Sequence, residues 1–311
     1  MVRTAEGPST FVARDVLVMG ARIDTSGLRV LELAVGDESD DSPPLDANEH
    51  PSEASSAAFS DWERRLGTPA ALPNIYVPGA PRLSRLSESD DLFTGPDVDE
   101  ASRRYLTVAA DAKALRIRAR VLQWLALRSV VDVASIVRWC SLSCGPAFPL
   151  VSSMSEALRT GTRLAATFVD TCSDAIDASK RVALSHGIDP AAHAFMVADS
   201  TLDEPLARLG RESQDLVEAL GLLEGRPLDD AAAPLSRAYS LVRPGGSLVF
   251  SVMLTSRPAS ADGPAVVWPS GPTRSLEEIA GLLARADIPV MDAMACLTQD
   301  GVYAVVEVTR L

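Results

Sequence analysis

Residues 139–154 read WCSLSCGPAFPLVSSM. An apolar run, VVDVASIV (Val130–Val137), leads into them, and small residues with a single Gly-Pro pair follow. The tail of the stretch has the pattern of a helix. Strand, tight turn and helix is the order with which many α/β proteins hold a nucleotide-like ligand. Gly145-Pro146 taken alone is equally an ordinary turn. The rest of the chain decides between the two.

Downstream of Val130, apolar runs of strand length alternate with helical patterns. The runs are SIVRWCSL, RLAATFVD, AHAFMVAD, QDLVEAL, GSLVFSVML, PVMDAMACL and GVYAVVEVT. Between them lie stretches such as SDAIDASKRVALSHG and SLEEIAGLLARAD. This rhythm predicts βαβ units and an α/β fold: a seven-stranded, mostly parallel sheet with helices on both faces. TQDG, between the last two runs, is too short for a crossover helix, which makes one strand antiparallel.

Upstream of Val130 the sequence predicts an N-terminal extension over residues 1–128, followed by a binding domain over 129–311. DVLVMGARI and LRVLELAV flank the turn residues Asp24–Gly27, so residues 11–36 read as a hairpin. Between Asp37 and Glu53 stand seven acidic residues and three prolines, with no basic residue. That composition buries too little apolar surface to offset ordering entropy, and residues 37–60 are expected to form a disordered linker. Residues 61–128 are first irregular and proline-rich, then helical. In ASRRYLTVAADAKALRIRARVLQWLALRSVV an apolar stripe (Leu115, Ala119, Leu122, Ala126) predicts one helix. Arg116, Arg118 and Arg120 fall off the stripe. They read as a solvated face, or as a source of one arginine for a ligand carboxylate. Tyr105 reads as packing, or as a cover for the same site.

Composition narrows the function. Of 311 residues, 47% are hydrophobic, ample for a core, and the net charge of -13 argues against a nucleic-acid platform. No apolar run reaches the length of about 18 residues that a membrane helix needs. MVRTAEGPST lacks a long apolar core, so a cytoplasmic protein is expected. Cys140, Cys144, Cys172 and Cys296 form no CxxC pair and do not cluster with His50, His186 or His193. Reduced thiols and no metal site are expected.

In open α/β sheets ligands sit outside the carboxyl ends of the strands. The residues there are Ser143, Cys144, Gly145, Pro146 and Ala147 after the first run, then Asp170 and Thr171 after the second. Asp199 and Ser200 follow the third, and Ala219, Leu220 and Gly221 end the fourth. A glycine lets backbone approach a ligand, and an acid at a strand end can accept from ribose hydroxyls. Asp199 can accept from an exocyclic amine. Asp170 is alternatively a helix N-terminal acid, and Asp199-Ser200 alternatively a cap.

In this order the residues resemble the class I S-adenosylmethionine-dependent methyltransferases. LVRPGGSLVFS (Leu241–Ser251) is similar to that family's Leu-x-Pro-Gly-Gly turn before the fifth strand, where Gly245-Gly246 is structural. FVDTCSDAIDASKRVALSHGI, VADSTLDEPL and QDLVEALGLLEGRPLDDAAAPLSRAYSL resemble its second, third and fourth strand ends. The resemblance spans about Val130–Leu311. It implies S-adenosyl-L-methionine as cofactor, bound by the strand-end residues named above, and a methyltransferase with a small-molecule acceptor. The first loop departs from the family's pattern. Ser141 or Ser143 stands near the usual acid, and Gly145 is the only glycine, which leaves fewer positions free to adopt positive φ. No His, Lys or Glu stands out as a general base. A Rossmann-like module that has lost catalysis and serves interaction or regulation is the second reading. A nicotinamide enzyme is disfavoured because SLSCGPAFPL lacks G-x-G-x-x-G.

Overall fold

The computed structural model describes residues 16–36, 64, 68, 71–78, 100–130, 135–257 and 271–311. The expected linker at 37–60 lies outside the described residues. In chain order the strands are β1 (Val16–Ile23), β2 (Arg29–Val35), β3 (Ile136–Leu142), β4 (Arg163–Asp170), β5 (Ala194–Val197), β6 (Gln214–Ala219), β7 (Val242–Leu254), β8 (Thr273–Arg274), β9 (Ala293–Thr298) and β10 (Tyr303–Thr309). The helices are α1 (Leu72–Tyr76), α2 (Glu100–Val108), α3 (Ala110–Arg128), α4 (Phe148–Arg159), α5 (Ser173–Ser185), α6 (Asp203–Ala207), α7 (Leu228–Leu241) and α8 (Leu276–Arg285).

All seven expected runs form strands of one sheet, but the sheet is larger than expected. It has ten strands in the order β1-β2-β9-β10-β7-β6-β3-β4-β5, with β8 beside β7. The added strands come mainly from the hairpin, because β2 pairs in parallel with β9 and extends that edge. Strand β10 is antiparallel to both β7 and β9, as the short TQDG joint requires. Strand β1 is a second antiparallel strand, paired with β2. Open edge hydrogen bonds on β9 explain why a hairpin far away in sequence docks there.

Period-two alternation divides the core between two faces. Trp139, Leu216, Val249 and Val305 point to a layer of α3, α4 and α5. Cys140, Val217, Phe250 and Ala304 point to α7 and α8. The expected boundary at residue 128 is the last residue of α3, and α3 packs on the sheet that follows it.

The single helix expected over residues 101–131 is two. Ala109 (φ -57°, ψ 129°) breaks it between α2 and α3. The break exposes the last carbonyls of α2, which need donors. Arg116 supplies them: it donates to Leu106 O at 3.0 Å and to Thr107 O, and also to Ile75 O at 3.1 Å. Arg116 and Arg118 are therefore buried, which corrects the solvated-face reading for both. Tyr105 is also buried, in the cluster of α1, α2 and α3. Among the described residues no helix is long and apolar enough to cross a membrane.

The chain moves outward from β3 through β4 to β5, then returns to lay β6 on the other side of β3. The strand order thus reverses between β3 and β6. By the general rule for open α/β sheets, the crevice for a ligand lies outside the carboxyl ends of these two strands.

Candidate functional site

Ser143–Ala147 joins β3 to α4 at that crevice. Its φ angles alternate into the left-handed region: 53° at Ser143, 52° at Gly145 and 55° at Ala147. Only one of the three is glycine. The scarcity of glycines therefore did not limit positive φ, and the cost appears as strain of about 1–2 kcal/mol at each non-glycine position. The surroundings hold the loop in this shape. Cys144 N–H donates to Val169 O at 3.1 Å, and Ala147 N–H to Cys144 O at 2.8 Å. Ser143 Oγ lies 3.1 Å from Ser200 Oγ.

Asp170 ends β4 and connects two segments. Its Oδ2 accepts from Gly145 N–H at 2.9 Å and its Oδ1 from Cys172 N–H at 2.9 Å. It thus braces the β3 loop and the entry to α5 together, doing more than opposing a helix dipole. Asp199 folds on itself: Oδ1 accepts from Thr201 N–H at 2.8 Å and Thr201 Oγ1 at 2.6 Å. These bonds hold its carboxyl below the usual range. Asp199 does not cap a helix, since α6 begins at Asp203 with Leu202 as its cap residue.

On the β6 side, Gly221 approaches the β3 loop. A Cβ at Gly221 would lie 3.0 Å from Ser143 O. Ser143, Gly145, Asp170, Ser200 and Gly221 are therefore one connected group. Thr171 is exposed beside it. Pro146 is buried in the turn, and Leu220 in the segment after β6. Ala219 faces the opposite core with α7 and α8, and Cys144 packs in the core under α4. Burial pushes the Cys144 thiol well up, so it is an inert neutral group.

Beneath this group lies a polar row that sequence reasoning missed. Ser141 on β3 pairs with Glu218 on β6, and Ser251 and Tyr303 sit on the same sheet face further along, on β7 and β10. Glu218 is 5% exposed. Its Oε2 accepts from Ser141 Oγ, and its Oε1 from Leu220 N–H at 2.7 Å. Ser251 Oγ donates to Leu220 O at 3.0 Å. Arg118 caps the row from α3. It pairs with Glu224, donates to Ser251 Oγ at 3.2 Å, and stacks over the Tyr303 ring at 4.8 Å. The only sequence signal was an acid or hydroxyl inside each of several apolar runs.

Burial pushes the Glu218 carboxyl up to about 6, against a usual 4.5. The folded protein then binds more protons than the unfolded chain between those values, so stability falls as pH rises through the window. Above pH 6 the ionised carboxylate costs about 2 kcal/mol. Glu218→Gln keeps a carbonyl for Leu220 N–H and an amide for Ser141 Oγ. It is expected to raise the unfolding free energy at pH 8 by about 2 kcal/mol and to leave it nearly unchanged at pH 4.5. Urea denaturation at the two pH values checks this, and an equal effect at both would contradict it.

Among the described residues no group of three or more His, Cys, Asp or Glu is placed to hold a metal ion. No family model matches the chain, and no curated protein matches it. Solved structures do. A possible exported protein from Bordetella parapertussis is 17% identical, with a TM-score of 0.54 over 84% of this chain and 99% of its own. The CurJ carbon methyltransferase is 14% identical, with a TM-score of 0.52 over 83% of this chain and 70% of its own. The CMeT domain of the citrinin polyketide synthase is 15% identical, with a TM-score of 0.50 over 83% and 66%. The fold is that of the class I S-adenosylmethionine-dependent methyltransferases.

Proposed function

We propose that the chain is an S-adenosylmethionine-dependent methyltransferase with a small-molecule acceptor. The observation that carries this reading is the Ser143–Ala147 loop at the β3–β6 reversal, with its positive φ angles, tied through Gly145 N–H to the strand-end acid Asp170. Strain at Ser143 and Ala147 persists only where the surroundings over-determine it, and it concentrates at ligand sites.

The donor set suits the cofactor. Asp170 and Asp199 offer carboxylate oxygens with lone pairs beyond those used by backbone, matching ribose hydroxyls and an exocyclic amine. Gly145 and Gly221 bring backbone without side chains to the strand ends, Gly145 beside Leu72 Cδ1 and Gly221 beside Ser143 O. Ser143, Thr171 and Ser200 complete the proposed lining with side chains, while Cys144, Pro146, Ala219 and Leu220, whose side chains are buried, contribute backbone only. In this reading residues 1–128 are an extension that contributes α3 and Arg118 to a binding domain over 129–311. When bound, S-adenosylmethionine supplies a methyl group already activated by its sulfonium. The chain's own task is to position the partners and exclude water.

Calorimetric titration of the full chain with S-adenosylhomocysteine tests the reading, and the absence of binding would overturn it. Asp170→Ala is expected to weaken that binding by roughly 1.5–3 kcal/mol, the range for hydrogen bonds to a charged group. It should also lower stability by about 2 kcal/mol, because Gly145 N–H and Cys172 N–H lose their acceptor. A fall in stability with unchanged affinity would assign Asp170 to the fold alone.

A further inference from the structure

We propose that Glu218 is the fixed charge of the crevice floor, through which the site distinguishes a cationic sulfonium ligand from its neutral thioether counterpart. This rests on the reading above and adds to it a residue and a basis for selectivity.

The placement comes from topology. Ser141 and Glu218 are paired across β3 and β6, the two strands between which the order reverses. A ligand lying in the crevice at that reversal sits over this pair. Both loops that bound the crevice leave within a few residues of it: Ser143 follows Ser141, and Leu220-Gly221 follows Glu218. The carboxylate bonds to both sides, through Ser141 Oγ and Leu220 N–H.

The charges around Glu218 leave its own charge uncompensated. Its two hydrogen-bond donors are a neutral hydroxyl and a backbone amide. The cation that faces it is Arg118 on α3, and Arg118 is already bound to Glu224 from the segment after β6. Among the described residues the other titratable groups that face it include the Cys140 and Cys144 thiols and the Tyr76 phenol on α1. Burial pushes all three up, so they are neutral and supply no positive charge. A buried, unbalanced carboxylate is unfavourable until a positive group arrives, and in a low-dielectric site such a charge acts strongly over several ångströms. S-adenosylmethionine and S-adenosylhomocysteine differ by one methyl group and the charge on sulfur. The methyl difference is the same at every pH, so the change of their relative affinity with pH isolates the charge.

The test is calorimetric titration of S-adenosylmethionine and S-adenosylhomocysteine into the full chain and into Glu218→Gln, at pH 5 and pH 8. For the wild-type chain, the preference for the sulfonium form should grow by roughly tenfold between pH 5 and pH 8, as Glu218 ionises. In Glu218→Gln that preference should be lower by a similar factor at pH 8 and flat with pH. Its S-adenosylhomocysteine affinity should stay within about twofold, which also shows that the variant is folded. A preference that Glu218→Gln leaves unchanged would overturn the proposal while the methyltransferase reading stands. Equal loss of both ligands would also overturn it, making Glu218 a brace between the strands. Failure of the wild-type chain to bind either ligand would overturn both readings.

Discussion

Gly145→Val is expected to abolish S-adenosylhomocysteine binding and to lower the unfolding free energy by about 2 kcal/mol. The stability loss comes from backbone strain. Gly145 has φ of 52°, a conformation that a β-branched residue tolerates poorly. Crowding adds little, because the one atom within 4 Å of a Cβ built there is Leu72 Cδ1, at 3.5 Å. The binding loss has a different source. On the proposed reading the new methyl groups, on the side of the loop that faces Leu72 of α1, take space the ligand needs. Gly145 N–H is also the group that Asp170 holds, so a distorted turn misplaces that carboxylate. Gly145→Ala should cost about 1–2 kcal/mol of stability, since the φ is positive, and Cys144→Ser should be mild, since the neutral thiol has no chemical role here. Denaturation curves and calorimetry separate the two effects. If Gly145→Val binds S-adenosylhomocysteine with native affinity, the stretch is an ordinary turn and the proposed function loses its centre.

Gly246→Ala is expected to be costlier to the fold, by about 3 kcal/mol, the upper end for overpacking, and to leave ligand affinity intact. Between Gln214 and Leu216 on β6 the register passes one residue, while on β7 it runs from Val242 to Ser247. The residues between are extruded as a bulge. Gly245 turns there with φ of 77°, and its N–H donates to Arg310 O at 2.7 Å. Gly246 lies flat against the neighbouring strand. A Cβ on it would fall 2.8 Å from Asp215 O, 2.9 Å from Gln214 O and 3.1 Å from Arg243 O. All three are backbone atoms, so no side chain can swing aside. The bulge is at the amino end of β7, opposite the crevice, which is why binding should survive in the folded fraction. Thermal unfolding with and without S-adenosylhomocysteine measures both quantities. A wild-type midpoint would mean that β7 does not approach β6 as described.

These two glycines mark how far the chain could be read without coordinates. Seven strands, the antiparallel pair at the end, and the acids at the ends of β4 and β5 were legible, because each is written in contiguous residues. Apolar period, turn residues and the shortness of TQDG act locally, and the backbone obeys them wherever the segment ends up. Docking of the β1–β2 hairpin on β9 was not legible, since its partner lies more than 250 residues away in the chain. Ser143 and Ala147 hold positive φ that their own preferences oppose, because bonds from Val169, Ser200 and Asp170 shape the loop between them. Arg116 and Arg118 read as solvated because a helical stripe assumes one buried face. In the fold α3 is covered from several sides, and those guanidiniums serve the carbonyls of α2 and the carboxylate of Glu224. Ser141, Glu218, Ser251 and Tyr303 are each an isolated polar residue in an apolar run. Local pattern determined the elements, and strand pairing alone decided that these four stand in one buried row, since a group's electrostatic surroundings depend on neighbours brought together from distant parts of the chain.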